Sequence, residues 1–347
     1  MPALSVSDLH VRIGSAHIVR GVSWSVERGQ TLGIVGESGS GKSMSVLAAT
    51  GLVGPPLAKV SGSVLLDRRP DAGLPAEGAA TGGRARGSAA GRSAPPSGDL
   101  LTMGAEDRRR VRGRRIGFVF QDPATSLNPI LDVERQLTEG LEEHLGMTRR
   151  AARGRALELL ELVGIPDPER RLRAYPHELS GGMRQRVMIA IALSCDPDVL
   201  IADEATTALD VTIQAQIIDA VRSLQERLGT AVVWISHDLA VVGGLADEVA
   251  VMYGGQVVEQ ADVVTLFRER AHPYTAGLFA SRPHLGSPEE TLTTIPGAPP
   301  DPRYLPHGCV FYDRCTVRDD PRCATDRPDL LEVAPGHLVR SFYGGAR

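Results

Sequence analysis

Residues 36–43 read Gly36-Glu37-Ser38-Gly39-Ser40-Gly41-Lys42-Ser43. They fit G-x-x-x-x-G-K-[ST], a loop that wraps a polyphosphate in its backbone N–H groups. Before it, Thr31-Leu32-Gly33-Ile34-Val35 has the composition of a short buried strand, and after it residues 43–52, rich in Ala, Leu and Val, predict a helix. The motif needs that strand–loop–helix setting, because the helix N-terminus completes the anion site. All eight residues are candidate nucleotide contacts, with Lys42 placed to reach the β- and γ-phosphates and the Ser43 hydroxyl to bind Mg²⁺. Of the 38 basic residues only Lys42 and Lys59 are lysines. A lysine kept where the chain otherwise uses arginine marks a place that needs a compact point charge.

The rest of the composition narrows the class. A chain of 347 residues with 42% hydrophobic and 23% charged residues suits one large globular domain with an appendage, or two domains. A net charge of −4 argues against nucleic acid or a lipid surface as the main partner. No apolar run approaches the roughly 18 residues that span a bilayer. The first residues lack a signal peptide's basic and apolar regions, so a cytoplasmic chain is expected. Four cysteines in that compartment read as thiols or metal ligands rather than disulfides.

Outward from the loop, residues 4–13 and 18–26 alternate as strands about a Gly14-Ser15-Ala16 turn, and residues 60–67 predict another strand. In residues 68–98, 22 of 31 are Ala, Gly, Pro or Ser, and Leu74 is the only large apolar side chain. Too little can be buried there to offset ordering entropy, so a disordered surface insertion is expected. Residues 108–115 hold six arginines without interleaved aromatics and read as a solvated turn rather than a nucleic-acid patch. The strand Ile116-Gly117-Phe118-Val119-Phe120 follows and ends at Gln121. A helical subdomain is expected over about residues 122–180, with Thr148 capping a helix that presents Ala152, Ala156, Leu159, Leu160 and Val163 on one face. Leu179-Ser180-Gly181-Gly182-Met183 then opens another helix. The continuous apolar runs 199–202 and 231–235 read as buried parallel strands, ending at Asp203-Glu204 and Ser236-His237-Asp238. Residues 249–253 and 256–259 close a hairpin about Gly254-Gly255, and no internal repeat is present.

Phosphate loops serve many chemistries, so the accompanying residues decide among them. Gln121 after a strand, the Leu179-to-Met183 signature, Asp203-Glu204, Ala208-Leu209-Asp210 and His237 occur in that order. Together they resemble the ATP-binding-cassette ATPases, over nearly the whole chain. The resemblance implies an α/β fold: a P-loop NTPase core with an antiparallel β subdomain, a helical subdomain and a small irregular C-terminal extension. It places the ATP-binding domain at residues 1–262 and the extension at 263–347. Asp203, at a strand end, can hold Mg²⁺ through its shell, and Glu204 can act as general base toward water. His237 can contact the γ-phosphate, and Gln121 can reach metal and water and report nucleotide state to the helical subdomain. Ser180, Gly181 and Gly182 form a helix N-terminus that in this family caps the γ-phosphate of a partner subunit. The implied unit is a head-to-tail dimer with a second cassette, a homologue rather than an identical copy by the habit of the subfamily, with Asp210 among the nucleotide-site residues. Ile13 takes the position before Gly14 that is often aromatic, so it can pack on adenine without stacking. Ala205 stands where proline is usual.

A narrower resemblance lies in the flanks. Phe120-Gln121-Asp122-Pro123, Tyr175-Pro176-His177-Glu178, His272-Pro273-Tyr274-Thr275 and the tail around Gly308-Cys309 and Arg314-Cys315 look like the importer ATPases for oligopeptides and dipeptides. Nickel and glutathione importers share much of that pattern, and a non-transport cassette ATPase is the more distant alternative. The implied partners are two membrane permeases and, indirectly, an extracytoplasmic binding protein, with this chain peripheral at the cytoplasmic face and no nucleic acid. In the subfamily the tail resembles an iron–sulfur site of four cysteines. Here Cys309, Cys315 and Cys323 are present and Ser341 stands at the fourth position. Three readings stay open: a cluster with a weaker fourth ligand, Zn²⁺ completed by His307 or His337, or three free thiols. Cys195, far from these, reads as a buried core thiol.

Overall fold

The computed structural model describes residues 2–67, 97–206, 211–281 and 294–342. Its strands, in chain order, are β1 (Pro2–Ile13), β2 (Ala16–Glu27), β3 (Thr31–Val35), β4 (Lys59–Leu66), β5 (Gly98–Asp99), β6 (Ile116–Val119), β7 (Val199–Asp203), β8 (Ala231–Ser236), β9 (Glu248–Tyr253), β10 (Gln256–Asp262), β11 (Leu331–Ala334) and β12 (His337–Val339). They form a four-stranded antiparallel sheet, β2-β1-β4-β5, and an eight-stranded sheet, β11-β12-β10-β9-β3-β8-β7-β6. From β9 to β6 the larger sheet is parallel. The proposed insertion lies outside the described residues except at its end, where Gly98 pairs with Leu66.

The apolar runs have a physical origin in this layering. Val199, Ile201, Ala231, Val233 and Ile235 point toward the antiparallel sheet and share a core with Leu4, Val6, Trp24 and Val64. Their neighbours Leu200, Ala202, Val232 and Trp234 point to the opposite face, against helices. A strand buried on both faces needs apolar residues at every position, so alternation disappears.

The helices that matter for the site are α1 (Lys42–Ala49), α2 (Ala105–Arg114), α3 (Pro123–Ser126), α4 (Val133–Leu145), α5 (Arg149–Leu162), α6 (Pro168–Leu172), α7 (Gly181–Leu193), α8 (Val211–Leu228) and α9 (Leu239–Leu245). Asp132 and Thr148 cap α4 and α5, each side chain accepting a backbone N–H from the first turn. Ala152, Ala156, Leu159 and Leu160 are fully buried, as their spacing predicts. Helices α3 to α6, between Gln121 and the signature, form the helical subdomain; α3, α4 and α5 pack on α7, and α6 packs on α4 and α5.

The arginine-rich stretch corrects its sequence reading. Most of it is helix α2, kinked at Arg112 and Gly113, and not a solvated turn. Arg112 donates to the Gly51 carbonyl at 3.0 Å, and Arg115 is buried, its Nε 2.6 Å from Asp198 Oδ2. The tail also builds more regular structure than its composition suggests. Its β11–β12 hairpin extends the main sheet through Glu259 to Val339 and Gln260 to Leu338 pairing.

Candidate functional site

The parallel order β3-β8-β7-β6 collects the C-terminal ends of four strands along one rim. In α/β sheets that rim is where ligands bind. The phosphate loop leaves β3 and enters α1. Gly36 has φ +151°, and a Cβ there would lie 2.2 Å from the Met252 carbonyl oxygen. Gly41, at φ +98°, would bring a Cβ within 2.9 Å of the Ile18 carbonyl. Both positions admit only glycine, which lets the loop close tightly over its own N–H groups.

Lys42 is buried and donates from Nζ to the Gly36 and Glu37 carbonyls at 2.8 and 3.0 Å. Burial pulls its pKa below the ordinary lysine value, opposed by Glu204, Asp203 and Glu37. Ser40 is 2% exposed, and its hydroxyl has no hydrogen-bond partner among the described residues. An orphaned buried hydroxyl inside an anion-binding loop fits a phosphate oxygen as its missing partner. Ser43 Oγ donates to Asp203 Oδ1 at 2.9 Å, across from the end of β7. Burial raises the Asp203 pKa, and the Ser43 hydrogen bond opposes the shift. A hydroxyl and a buried carboxylate facing each other beside a phosphate loop are the donor types that Mg²⁺ takes.

Glu204 follows Asp203 with φ +49°, a left-handed backbone uncommon outside glycine, held by its N–H donating to the Ile235 carbonyl at 3.0 Å. Its Oε2 accepts from Gln121 Nε2 at 2.9 Å and lies 3.5 Å from His237 Nδ1. The Glu204 side chain is 15% exposed and His237 59%. A largely shielded carboxylate, oriented by an amide and flanked by an accessible imidazole, can accept a proton from water.

The sequence-predicted residues Lys42, Ser43, Gln121, Asp203, Glu204 and His237 thus come together. Ser180, Gly181 and Gly182 do not join these contacts. They sit at the start of α7, where Ser180 Oγ accepts the Met183 N–H at 3.3 Å, and Ser180 and Gly181 are exposed. Ile13 is half-buried at the β1–β2 turn. Asp210, with Ala208 and Leu209, lies outside the described residues. Two residues that the motifs do not contain also reach the loop. Tyr274 accepts the Glu37 N–H at 2.8 Å, and Arg314 pairs with the Glu37 carboxylate. Tyr274 belongs to a stretch quoted only as a family flank, and Arg314 was visible only as the neighbour of Cys315.

In the tail, Cys309, Cys315, Cys323 and Ser341 line one cavity of about 10 Å³ together with His272. That leaves room for about one water. Burial pushes the Cys309 thiol up to about 11 and raises Cys315 and Cys323 as well. Among the described residues no group of three or more His, Cys, Asp or Glu is arranged to hold a metal ion. His337 is turned away, its Nε2 2.8 Å from Glu259 Oε1. The four positions converge, but among the described residues they are not arranged as a ligand set for the iron–sulfur cluster or Zn²⁺ that the sequence leaves open. Cys195 is buried as expected.

Residues 19–207 match the ABC transporter family model. The chain belongs to the ABC transporter ATPases. Residues 258–323 of this cassette ATPase match a second model, the oligopeptide/dipeptide transporter C-terminal region. It is 44% identical over 347 aligned residues to the oligopeptide transport ATP-binding protein OppD of Bacillus subtilis, covering 98% of this chain and 88% of that one. It is 42% identical to the dipeptide transport ATP-binding protein DppD of Escherichia coli, over 99% of this chain and 97% of the relative. Its fold matches the dimeric ATP-binding cassette MJ0796, solved in a post-hydrolysis state with ADP and Pi, at TM-score 0.60 and 24% identity. That match covers 75% of the cassette ATPase and 98% of the solved chain. Among the described residues no helix is long and apolar enough to cross a membrane.

Proposed function

We propose that this chain is the ATP-hydrolysing subunit of an importer for oligopeptides or dipeptides. The observation that carries the reading is the oligopeptide/dipeptide transporter C-terminal region at residues 258–323, beside an intact set of Lys42, Ser43, Gln121, Asp203, Glu204 and His237. The two named relatives support it at 44% and 42% identity.

In this reading the triphosphate lies along residues 36–43, with adenine against Ile13. Lys42 leaves its two loop carbonyls for the phosphates. Ser43 and Asp203 hold Mg²⁺, whose charge offsets that of the phosphate oxygens. Glu204 takes a proton from the attacking water, Gln121 fixes the carboxylate's direction through the 2.9 Å hydrogen bond, and His237 steadies the γ-phosphate. Ser180, Gly181 and Gly182 serve the partner cassette's nucleotide, with Asp210 assigned to the same shared site. The partner is a second ABC ATPase, and the pair is held peripherally at the cytoplasmic face by two permease subunits, fed by an extracytoplasmic binding protein. The helical subdomain carries nucleotide state from Gln121 to the permeases.

The test is ATPase activity of the assembled transporter with its binding protein. Peptide-loaded binding protein should stimulate turnover, and Glu204→Gln should lower it by about 10²–10⁴ while ATP still binds. Stimulation by nickel or glutathione alone would reassign the cargo. Near-normal turnover in Glu204→Gln would remove that residue from its role.

A further inference from the structure

Glu37 is the only acidic residue within residues 36–43, a loop whose purpose is to hold an anion. An uncompensated carboxylate there opposes polyphosphate binding. Its charge is met by Arg314, 277 positions away in sequence. Arg314 Nη1 lies 2.6 Å from Glu37 Oε2 and Nη2 lies 3.0 Å from Oε1, a two-pronged fork. The remaining donors are also used: Nε reaches the Pro296 carbonyl at 2.8 Å, Nη1 the Tyr253 hydroxyl at 3.3 Å, and Nη2 the Ile295 carbonyl at 3.4 Å. The Arg314 side chain is 6% exposed. Such a fully bonded, buried guanidinium has one geometry available to it.

Glu37 is held on its backbone too. Its N–H donates to Tyr274, and its carbonyl accepts from Lys42 Nζ and from the Ser40 N–H at 3.0 and 3.2 Å. A shift of Glu37 therefore moves the lysine and the N–H groups that face the phosphates. Tyr274 packs against Tyr253 and Phe311, with ring centroids 4.5 and 5.4 Å apart. Arg314 and Phe311 both lie between Cys309 and Cys315, so the turn that carries the cysteines also carries the brace.

We propose that Arg314 is a positioning residue for ATP: by neutralising and fixing Glu37 it sets the phosphate loop, and it couples the cysteine lobe energetically to nucleotide occupancy. A contact that merely docks the tail would affect stability and leave nucleotide affinity alone. Coupling is reciprocal, so ATP must also steady the lobe.

The experiment uses the full chain with Mg-ATP. Binding is read by displacement of a fluorescent ATP analogue, folding by thermal melting, and lobe opening by alkylation of Cys309, Cys315 and Cys323 followed by mass spectrometry. Arg314→Met should weaken ATP binding about 10–100-fold, while kcat at saturating ATP in the assembled transporter stays within about threefold. Arg314→Lys, which keeps the charge without the fork, should show a smaller loss. Adding Glu37→Gln to Arg314→Met should recover most of the affinity, since the uncompensated charge is gone. ATP should slow alkylation in the wild type and not in Arg314→Met. A folded Arg314→Met that binds within about twofold of wild type, or a double variant no tighter than the single one, overturns the proposal. If Arg314→Met does not fold, Arg314→Lys decides: unchanged affinity with alkylation indifferent to ATP overturns it equally.

Discussion

Replacing Arg115 by Met removes a guanidinium that joins three parts of the fold. Its Nε is 2.6 Å from Asp198 Oδ2, just before β7, and its Nη2 donates to the carbonyl of Asp67, just past β4. The two side chains are 3% and 2% exposed, so neither charge is screened by water. Met retains most of the stem's packing and deletes only the charged head. Asp198 keeps its contact with Arg28 Nη1 at 3.2 Å, but that side chain is 28% exposed and a weaker counter-charge. Removing one partner of a buried ion pair costs about 3–5 kcal/mol, and the remaining Arg28 contact puts Arg115→Met near the lower end, about 3 kcal/mol. For a chain of 347 residues, with an unfolding entropy of roughly 2.1 cal/mol/K per residue, that is a fall of about 4 °C in Tm. Arg28→Met, at a partly exposed site, should cost less than about 1 kcal/mol. The assay is thermal unfolding followed by circular dichroism at one scan rate, without nucleotide. An Arg115→Met melting point within about 2 °C of wild type would refute the argument that this buried ion pair holds the fold.

Two other outcomes follow from groups described above. His272 is 2% exposed, and burial holds its pKa down at about 3. Between that value and the unfolded pKa near 6.5 the unfolded chain binds the extra proton, so stability falls as pH drops below about 6.5, by up to about 1.4 kcal/mol per pH unit. Melting points between pH 7 and 5 should therefore slope downward, and His272→Gln should flatten the slope; an unchanged slope in the variant would assign it to other groups. Protein purified without oxygen should carry sub-stoichiometric iron, zinc and sulfide. Stoichiometric metal, lost in Cys315→Ser, would show that the thiol cavity opens to admit a ligand after all.

Much of the site was legible because its chemistry is local in sequence. The phosphate loop is contiguous, and Asp203, Glu204, Gln121 and His237 each follow a short apolar run whose length and β-branched or aromatic content read as a buried strand. Adjacent parallel strands then carry these ends to one rim. What stayed hidden depends on partners far apart. The run at residues 108–115 has the charge density of a solvated surface, and only Asp198 reveals that its last arginine is buried. The Glu37–Arg314 fork spans 277 positions, beyond any periodicity. The strands β11 and β12 have four and three residues, too few for alternation to register. Ser341 reaches the cysteines because the hairpin of these two strands turns the chain back toward them.

That hairpin also governs how the molecule meets its neighbours in solution. Without it, β10 would be the outermost strand of the main sheet, presenting the unpaired groups of Gln256–Asp262, with Val257, Val258 and Ala261 among them. Such an edge is a template for strand addition by another chain. The hairpin covers its middle: Arg340 N–H donates to the Val258 carbonyl at 2.8 Å, and Arg340 Nε to the Val257 carbonyl at 2.9 Å. It replaces a seven-residue edge with a four-residue one carrying Glu332. A shortened chain ending before Leu331 would regain the longer edge and strip Glu259, fully buried, of its contact with His337. The last dozen described residues thus act as a guard against edge-to-edge aggregation, whatever else the lobe beside them does for ATP.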